Sequence, residues 1–234
     1  ARSSRRDAGA IAGPQRLGRF ARVRASHPEA DGIHAKKKSL RASEQHRSDV
    51  AERRRLWKEK MAGAEPSRFI FLDETGAKTN MTRSWARARK GERAVAYAPQ
   101  GHWHTTTLVA GLTLGGAIAP MVLEGAMDRS SFEAYVAQCL APALAPGAIV
   151  VMDNLSAHKS PTIARLIEKA GATVWYLPPY SPDYNPIEQM WSKVKAILKR
   201  LAARTHEALM AAIAAALDAV SPEDSRGFFR HCAV

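Results

Sequence analysis

Two short apolar runs, each stopped by an aspartate, constrain this 234-residue chain more than any other feature. Phe69-Ile-Phe-Leu72 follows Arg68 and ends at Asp73. Ala148-Ile-Val-Val-Met152 ends at Asp153. Runs of four or five apolar residues are too short for a core helix and fit strands buried on both faces. Side by side and parallel, two such strands would bring their terminal carboxylates together.

The remaining pattern supplies neighbours for those strands. Residues 75–104 are polar and contain Gly and Arg; they read as a long excursion with one short strand at Ala94 to Ala98. Thr105 to Leu114 is rich in β-branched residues and reads as a strand, and Gly115-Gly116 turns it into a second strand, Ala117 to Leu123. Ser130-x-x-Glu133 has the form of a capping box ahead of a helix carrying Phe132, Tyr135, Val136 and Leu140. Pro161 to Ala170 reads as a helix closed by Gly171, and Thr173 to Leu177 as a strand. The Pro-rich loop Pro178 to Pro186 leads into a helix over Ile187 to Leu201, and a final helix covers His206 to Val220. The order is a three-strand meander, then helix, strand, helix, strand, helix, helix. A meander pairs antiparallel, whereas strand–helix–strand units need parallel neighbours with right-handed crossovers. An α/β, ribonuclease-H-like fold, with a mixed five-stranded sheet flanked by helices, satisfies both.

Charge divides the chain. Residues 1–60 hold 17 Lys+Arg against 7 Asp+Glu, while the other 174 residues hold 18 against 15. A basic arm on a nearly neutral body suits a phosphate-backbone partner, and equally suits a solvated tail. Residues 1–35 are expected to be a basic, disordered segment. Residues 36–65 are expected to form a basic linker helix (about Ser43 to Met61, sparse in apolar positions), and residues 66–234 the catalytic domain, with Pro66 at the boundary. No apolar run reaches the roughly 18 residues needed to span a bilayer, so no membrane partner is expected. Cys139 and Cys232 lack metal-ligand spacing and point to a reducing, intracellular setting. His102-Trp103-His104 resembles a zinc pair only superficially.

The acids carry the chemistry. Two like charges at close range repel, and a bound divalent cation removes that penalty. Magnesium accepts carboxylate oxygens and keeps several waters, so few protein ligands suffice. A third acid, Glu188, falls in the first turn of a helix for which Asn185 is a good N-cap and Pro186 suits the first position. Taken alone, Glu188 reads more readily as a capping-box residue, and a lone Asp at a strand end more readily as a loop cap; their recurrence in one fold supports a metal site. Glu74 should face away from Asp73 in an extended strand, and Asp128 and Asp183 read as caps.

Three segments carry a specific resemblance: Leu72-Asp73-Glu74; Val151-Met-Asp153-Asn-Leu-Ser-Ala-His158-Lys159; and Leu177-Pro-Pro-Tyr-Ser-Pro-Asp-Tyr-Asn-Pro-Ile-Glu188-Gln-Met-Trp191. With 34 residues between Asp153 and Glu188, they closely resemble the DDE transposases of the mariner superfamily, in its bacterial insertion-sequence branch. The likeness covers about residues 36–234. It implies that Asp73, Asp153 and Glu188 are both catalytic and metal-binding, holding two Mg²⁺ or Mn²⁺ ions. It also implies that DNA, as transposon ends and as target, is cut and joined in two steps. Members carry N-terminal helix-turn-helix domains; nothing in residues 1–35 reads as one, so the chain is expected to lack them and to be a truncated copy. Members generally act as homodimers, although no dimerisation motif is readable here. The expected setting is the bacterial cytoplasm, at the nucleoid.

Candidate DNA contacts are Lys36, Lys37 and Lys38 in the basic arm, His158 and Lys159 after the second acid, and Lys193, Lys195, Lys199 and Arg200 on the helix of Glu188. The last group could equally be a solvated face, and His158 could make a loop hydrogen bond. Ile187, Val194, Leu198 and Leu201 should bury the opposite side of that helix, with Trp191 partly covering the core. Two rival functions fit the acids and the charge: a nuclease that cuts without joining, and a non-enzymatic DNA-binding remnant.

Overall fold

The computed structural model describes residues 42–99, 101, 105–155 and 158–234. The expected lysines Lys36, Lys37 and Lys38, the segment 1–35 and the His102–His104 pair lie outside them. Five strands form the core: β1 (Phe69–Lys78), β2 (Thr105–Thr113), β3 (Gly116–Glu124), β4 (Ile149–Met152) and β5 (Thr173–Tyr176). Their order is β3-β2-β1-β4-β5. β1 pairs antiparallel with β2 and β2 with β3, while β4 lies parallel to both β1 and β5. This is the mixed sheet of the ribonuclease-H-like fold that the element order demanded.

The period-2 alternation of β1 sorts its residues between two cores. Phe69 and Phe71 join Ile149 and Val151 on one face, against α4 (Pro186–Leu201), α5 (His206–Asp218) and α6 (Pro222–His231). Ile70 and Leu72 join Val150 and Met152 on the other, against α2 (Arg129–Tyr135) and α3 (Pro161–Lys169). Gly111 of β2 sits at a close approach on that second face. A Cβ there would stand 2.9 Å from Ile70 Cγ2 and 3.0 Å from Ile118 Cγ1, closer than carbon atoms pack. Beyond α2 the chain widens into a π-helical turn, Val136–Leu140, which still buries Val136 and Leu140. Among the described residues, no helix is long and apolar enough to cross a membrane.

Several expectations need correction. β1 does not stop at Asp73: it continues to Lys78 because β2 supplies an antiparallel partner from Phe71 to Lys78, with Asp73 opposite Ala110. Ala94 to Ala98 forms no strand; it is irregular and almost wholly exposed. The cap of α2 is Asp128, which accepts from Ser131 N at 2.7 Å, and Glu133 instead accepts from Ser160 Oγ at 2.5 Å. The chain after α5 forms another helix, α6, started by a true capping box of Ser221 and Asp224. Its Phe229 packs edge-on against Phe71, a reward invisible in local sequence. In α4, Trp191 is fully buried and Leu201 half exposed, the reverse of the expected weighting, because Leu201 lies at the helix end.

The helix α1 (Ser48–Ala62) buries Val50, Trp57 and Met61. Three apolar residues dock it, each contributing roughly 1.5–3 kcal/mol on full burial, and Trp57 meets Trp175 of β5 edge-on with centroids 6.0 Å apart. Its remaining surface is mostly charged, with Leu56 half exposed among the charges.

Candidate active site

The sheet sets two acids level with one another. Phe71 is paired with Val151 in the parallel β1–β4 ladder. Two residues further along each chain stand Asp73 and Asp153, where β4 has ended and β1 continues. By alternation both positions belong to the face covered by α4. The third acid, Glu188, comes from the first turn of that helix. Asp73, Asp153 and Glu188 line one cavity of about 500 Å³, together with Asn154, Leu155, Asn185 and the Leu177–Pro182 loop.

Glu188 is not spent on a capping box. Asn185 precedes α4, but no side-chain cap hydrogen bond forms there. The Oδ1 atom of Asn185 is buried at this cavity without a hydrogen-bond partner among the described residues. An unpaired buried carbonyl oxygen is costly, so this wall can accept a further donor or ligand.

The acids repel. Burial, with the charges of Glu188, Asp153 and Glu74, pushes the carboxyl group of Asp73 up to about 7, despite a hydrogen bond from the Glu74 backbone. Asp153 goes the other way: burial opposes its charge, but His158 and the Leu155 N–H hold it below the usual carboxylate range. His158 is 4% exposed and stacks on Phe132, with centroids 4.4 Å apart. Its Nδ1 lies 2.6 Å from Asp153 Oδ1 and its Nε2 3.1 Å from Glu74 Oε1. Burial disfavours its cation, yet the two carboxylates outweigh burial and raise it to about 9. At neutral pH both ring nitrogens therefore donate. Glu74 points away from Asp73, as strand alternation requires, and reaches His158 from the α2 side.

Among the described residues, no three His, Cys, Asp or Glu side chains cluster tightly enough to hold a metal ion by themselves. The acids share a cavity, not a closed coordination sphere. The donors are all oxygen, which suits a hard divalent cation that keeps several waters, and the raised Asp73 shows negative charge that lacks compensation.

Residues 68–210 match the family described as DDE superfamily endonuclease. That segment is more than half of the chain. The chain belongs to the DDE superfamily endonucleases. No curated protein matches it. Among solved structures, a pre-cleavage Mos1 transpososome is similar with a TM-score of 0.65 at 14% identity, covering 87% of this chain and 65% of that one. The Mos1 mariner paired-end complex with Mn gives 0.65 at 17%, covering 86% and 64%. The catalytic domain of Mos1 mariner transposase gives 0.61 at 13%, covering 84% and 93%. At these identities the likeness is one of fold, and this chain spans about 65% of the length of the transpososome chain.

Around the acidic cavity the expected cations scatter. Lys159 is exposed beside His158. Lys193 is ion-paired with Asp224 of α6. Lys193, Lys199 and Arg200 line a separate cleft of about 580 Å³ with Arg83, Ser84 and Trp85, while Lys195 lines neither that cleft nor the acidic cavity. Sequence reasoning missed the bridge from Asp153 through His158 to Glu74. Its only local signal was a histidine five residues after the acid. It also missed the contact of Asp183 with Arg54 (2.7 Å), which no local pattern announces across 129 residues.

Proposed function

We propose that this chain is the catalytic part of a DNA transposase, of the mariner superfamily's bacterial insertion-sequence branch, working at the nucleoid in the cytoplasm. One observation carries the reading: three acids from β1, from the end of β4 and from the start of α4 line one cavity, and burial with mutual repulsion leaves Asp73 short of positive charge. Asp73, Asp153 and Glu188 would hold two divalent cations, Mg²⁺ or Mn²⁺, with waters and substrate oxygens filling the remaining positions. When bound, such a pair supplies charge stabilisation for the attacking and leaving oxygens of an in-line displacement at phosphorus. The acids fix where the cations sit. His158 holds Asp153 in one orientation through the bond to its Oδ1 and keeps a positive charge behind it. No covalent protein–DNA intermediate is required, so no Ser or Tyr nucleophile is assigned.

The same reading makes transposon ends and target DNA the substrates and a homodimer the working form. It is supported by family membership and by similarity in fold to Mos1 assemblies. Residues 36–65 would be a basic linker and residues 66–234 the catalytic domain, with 1–35 a disordered arm. Lys36, Lys37, Lys38, Lys159, Lys193, Lys195, Lys199 and Arg200 would contact DNA, whereas His158, expected among them, is buried with both ring nitrogens committed to Asp153 and Glu74 and serves the acids instead. The test is cleavage of end-bearing DNA in Mg²⁺ or Mn²⁺, followed by strand transfer from pre-cleaved ends. Cleavage that disappears in Asp153→Asn, with joined products in the wild type, is expected. Cutting without joining would favour a plain nuclease, which is all that the family description itself names. Binding with no metal-dependent cleavage would leave the DNA-binding remnant.

A further inference from the structure

Glu188 enters the cavity from the first turn of α4, and no strand pairing decides where that turn begins. Before it runs a tight loop, from Leu177 to Asn185. Tyr180 has φ +55°, a left-handed conformation that a residue with a Cβ adopts only when its surroundings hold it there. Tyr184 N donates to Ser181 O and Asn185 N to Pro182 O, each at 3.1 Å, and Glu188 N to Asn185 O at 3.2 Å. The position of Glu188 is thereby tied to residues 181–185 through consecutive short turns.

Ser181 Oγ donates within the loop to Pro179 O at 3.0 Å, and α1 adds a hold from outside it. Arg54 Nη1 donates to Ser181 Oγ at 2.7 Å and to Asp183 Oδ1 at 2.9 Å, and Nη2 donates to Asp183 Oδ2 at 2.7 Å. Its guanidinium lies 4.2 Å from the centroid of the Tyr184 ring. Just ahead of α1, Gln45 Nε2 donates to Tyr180 O at 2.6 Å. The Arg54 side chain is only 13% exposed, and a two-pronged Arg–carboxylate contact combines strength with fixed geometry. Trp57, Met61 and Val50 bury the same helix, so the clamp stands on a rigid base.

We infer that Arg54 is a positioning residue for the third acid: by gripping Asp183 and Ser181 it sets the loop from which Glu188 is aimed into the acidic cavity. This rests on the metal-site reading above. It makes α1 a part of the active site's support, and it makes the loop the place where movement at α1 would be felt by Glu188.

The test compares the full chain with Arg54→Ala, Arg54→Lys and the exchange Arg54→Asp/Asp183→Arg. Hydrogen exchange reads the loop, and titration calorimetry with Mn²⁺ alone reads the site. Arg54→Ala should speed exchange of the Tyr184, Asn185 and Glu188 amides at least about tenfold, with β1 and β4 unchanged, and weaken Mn²⁺ binding by roughly 10–100-fold, as loss of a ligand-orienting partner does. Arg54→Lys should fall between, and the exchanged pair should regain part of both. Unchanged loop exchange in Arg54→Ala overturns the inference, as does loosening spread equally through the sheet in both single variants. A wild type that binds no Mn²⁺ sinks the metal reading instead, while the exchange comparison still decides whether Arg54 sets the loop.

Discussion

The acidic cavity has two kinds of wall. On one side Asp73 lies within the β1–β2 ladder and Asp153 one residue past the end of β4, their levels set by the register of Phe71 with Val151. On the other, Glu188 depends on a helix start reached through a loop and held by side chains. The first wall can hardly shift without breaking the sheet. The second can be displaced by changing one or two side chains. A site assembled this way can keep two acids preset and leave the third to complete it, so substitutions on the two sides should separate activity from stability differently.

The largest effect is expected on the side-chain-held wall. Glu188→Ala should reduce metal-dependent DNA cleavage to the level of a metal-free control, yet leave the melting temperature within about 2 °C, since exposed or cavity-lining changes away from packing usually stay within roughly 0.5 kcal/mol. Nonspecific DNA binding should persist. A large loss of stability alongside activity would mean that Glu188 supports the fold, and the contrast between the walls would fail. The fixed side should behave otherwise when its footing is cut. Phe71 is fully buried and packs edge-on against Phe229, centroids 5.4 Å apart. Phe71→Ala should cost roughly 3–5 kcal/mol, seen as a fall of about 10 °C in the melting temperature, with activity declining only as the protein unfolds. A small change in thermal unfolding would show that the α4 face is looser than its packing implies.

A third prediction follows from charge on the fixed wall. The ordinary Asp value is 3.8, and in the folded chain Asp73 is raised to about 7 by burial and its acidic neighbours. A group raised in this way favours its neutral form in the folded state. Its contribution is fully present below about pH 3.8 and is lost as pH rises to about 7, after which it stays lost. Asn mimics the neutral acid. In EDTA, Asp73→Asn should therefore be more stable than the wild type at pH 8, by on the order of 2–4 kcal/mol at most, and equal to it near pH 4. Adding Mn²⁺ should stabilise the wild type and not the variant. Equal stabilities at pH 8 without metal would show that the repulsion is relieved by some other means.

The same division, between what neighbours along the chain settle and what distant partners settle, runs through the whole molecule. The five strands are legible in the sequence because apolar runs such as Ile149–Met152 and turn residues such as Gly115-Gly116 act locally. The full length of β1 is not, because Glu74 to Lys78 is polar and becomes a strand only beside β2. Likewise α6 is an ordinary polar segment until Phe229 meets Phe71. The acids stand out because two of them close apolar runs and the third opens a helix. Which of their neighbours compensate them does not: His158 turns inward to bridge Asp153 and Glu74, and Asp183, which by itself has the look of a cap, anchors Arg54. Such pairings depend on where the chain returns in space, and nothing at either residue encodes that alone.

The smallest effect should come from the cations that lie outside both walls. Lys199 and Arg200 border a cleft with Arg83 and Trp85, apart from the acidic cavity, and neither makes an ion pair among the described residues. If they meet phosphates of a duplex whose cut strand lies at the acids, each contributes through counterion release. The double variant Lys199→Ala/Arg200→Ala should then lower the slope of log K against log salt by about 1.8, close to 0.9 for each phosphate no longer neutralised. Cleavage at saturating DNA should stay near the wild-type rate, and so should the melting temperature. Because Lys193 is held by Asp224, Lys193→Ala should change the slope less and stability more. An unchanged salt slope in the double variant would assign this cleft to solvent and move the DNA path to another face of the sheet.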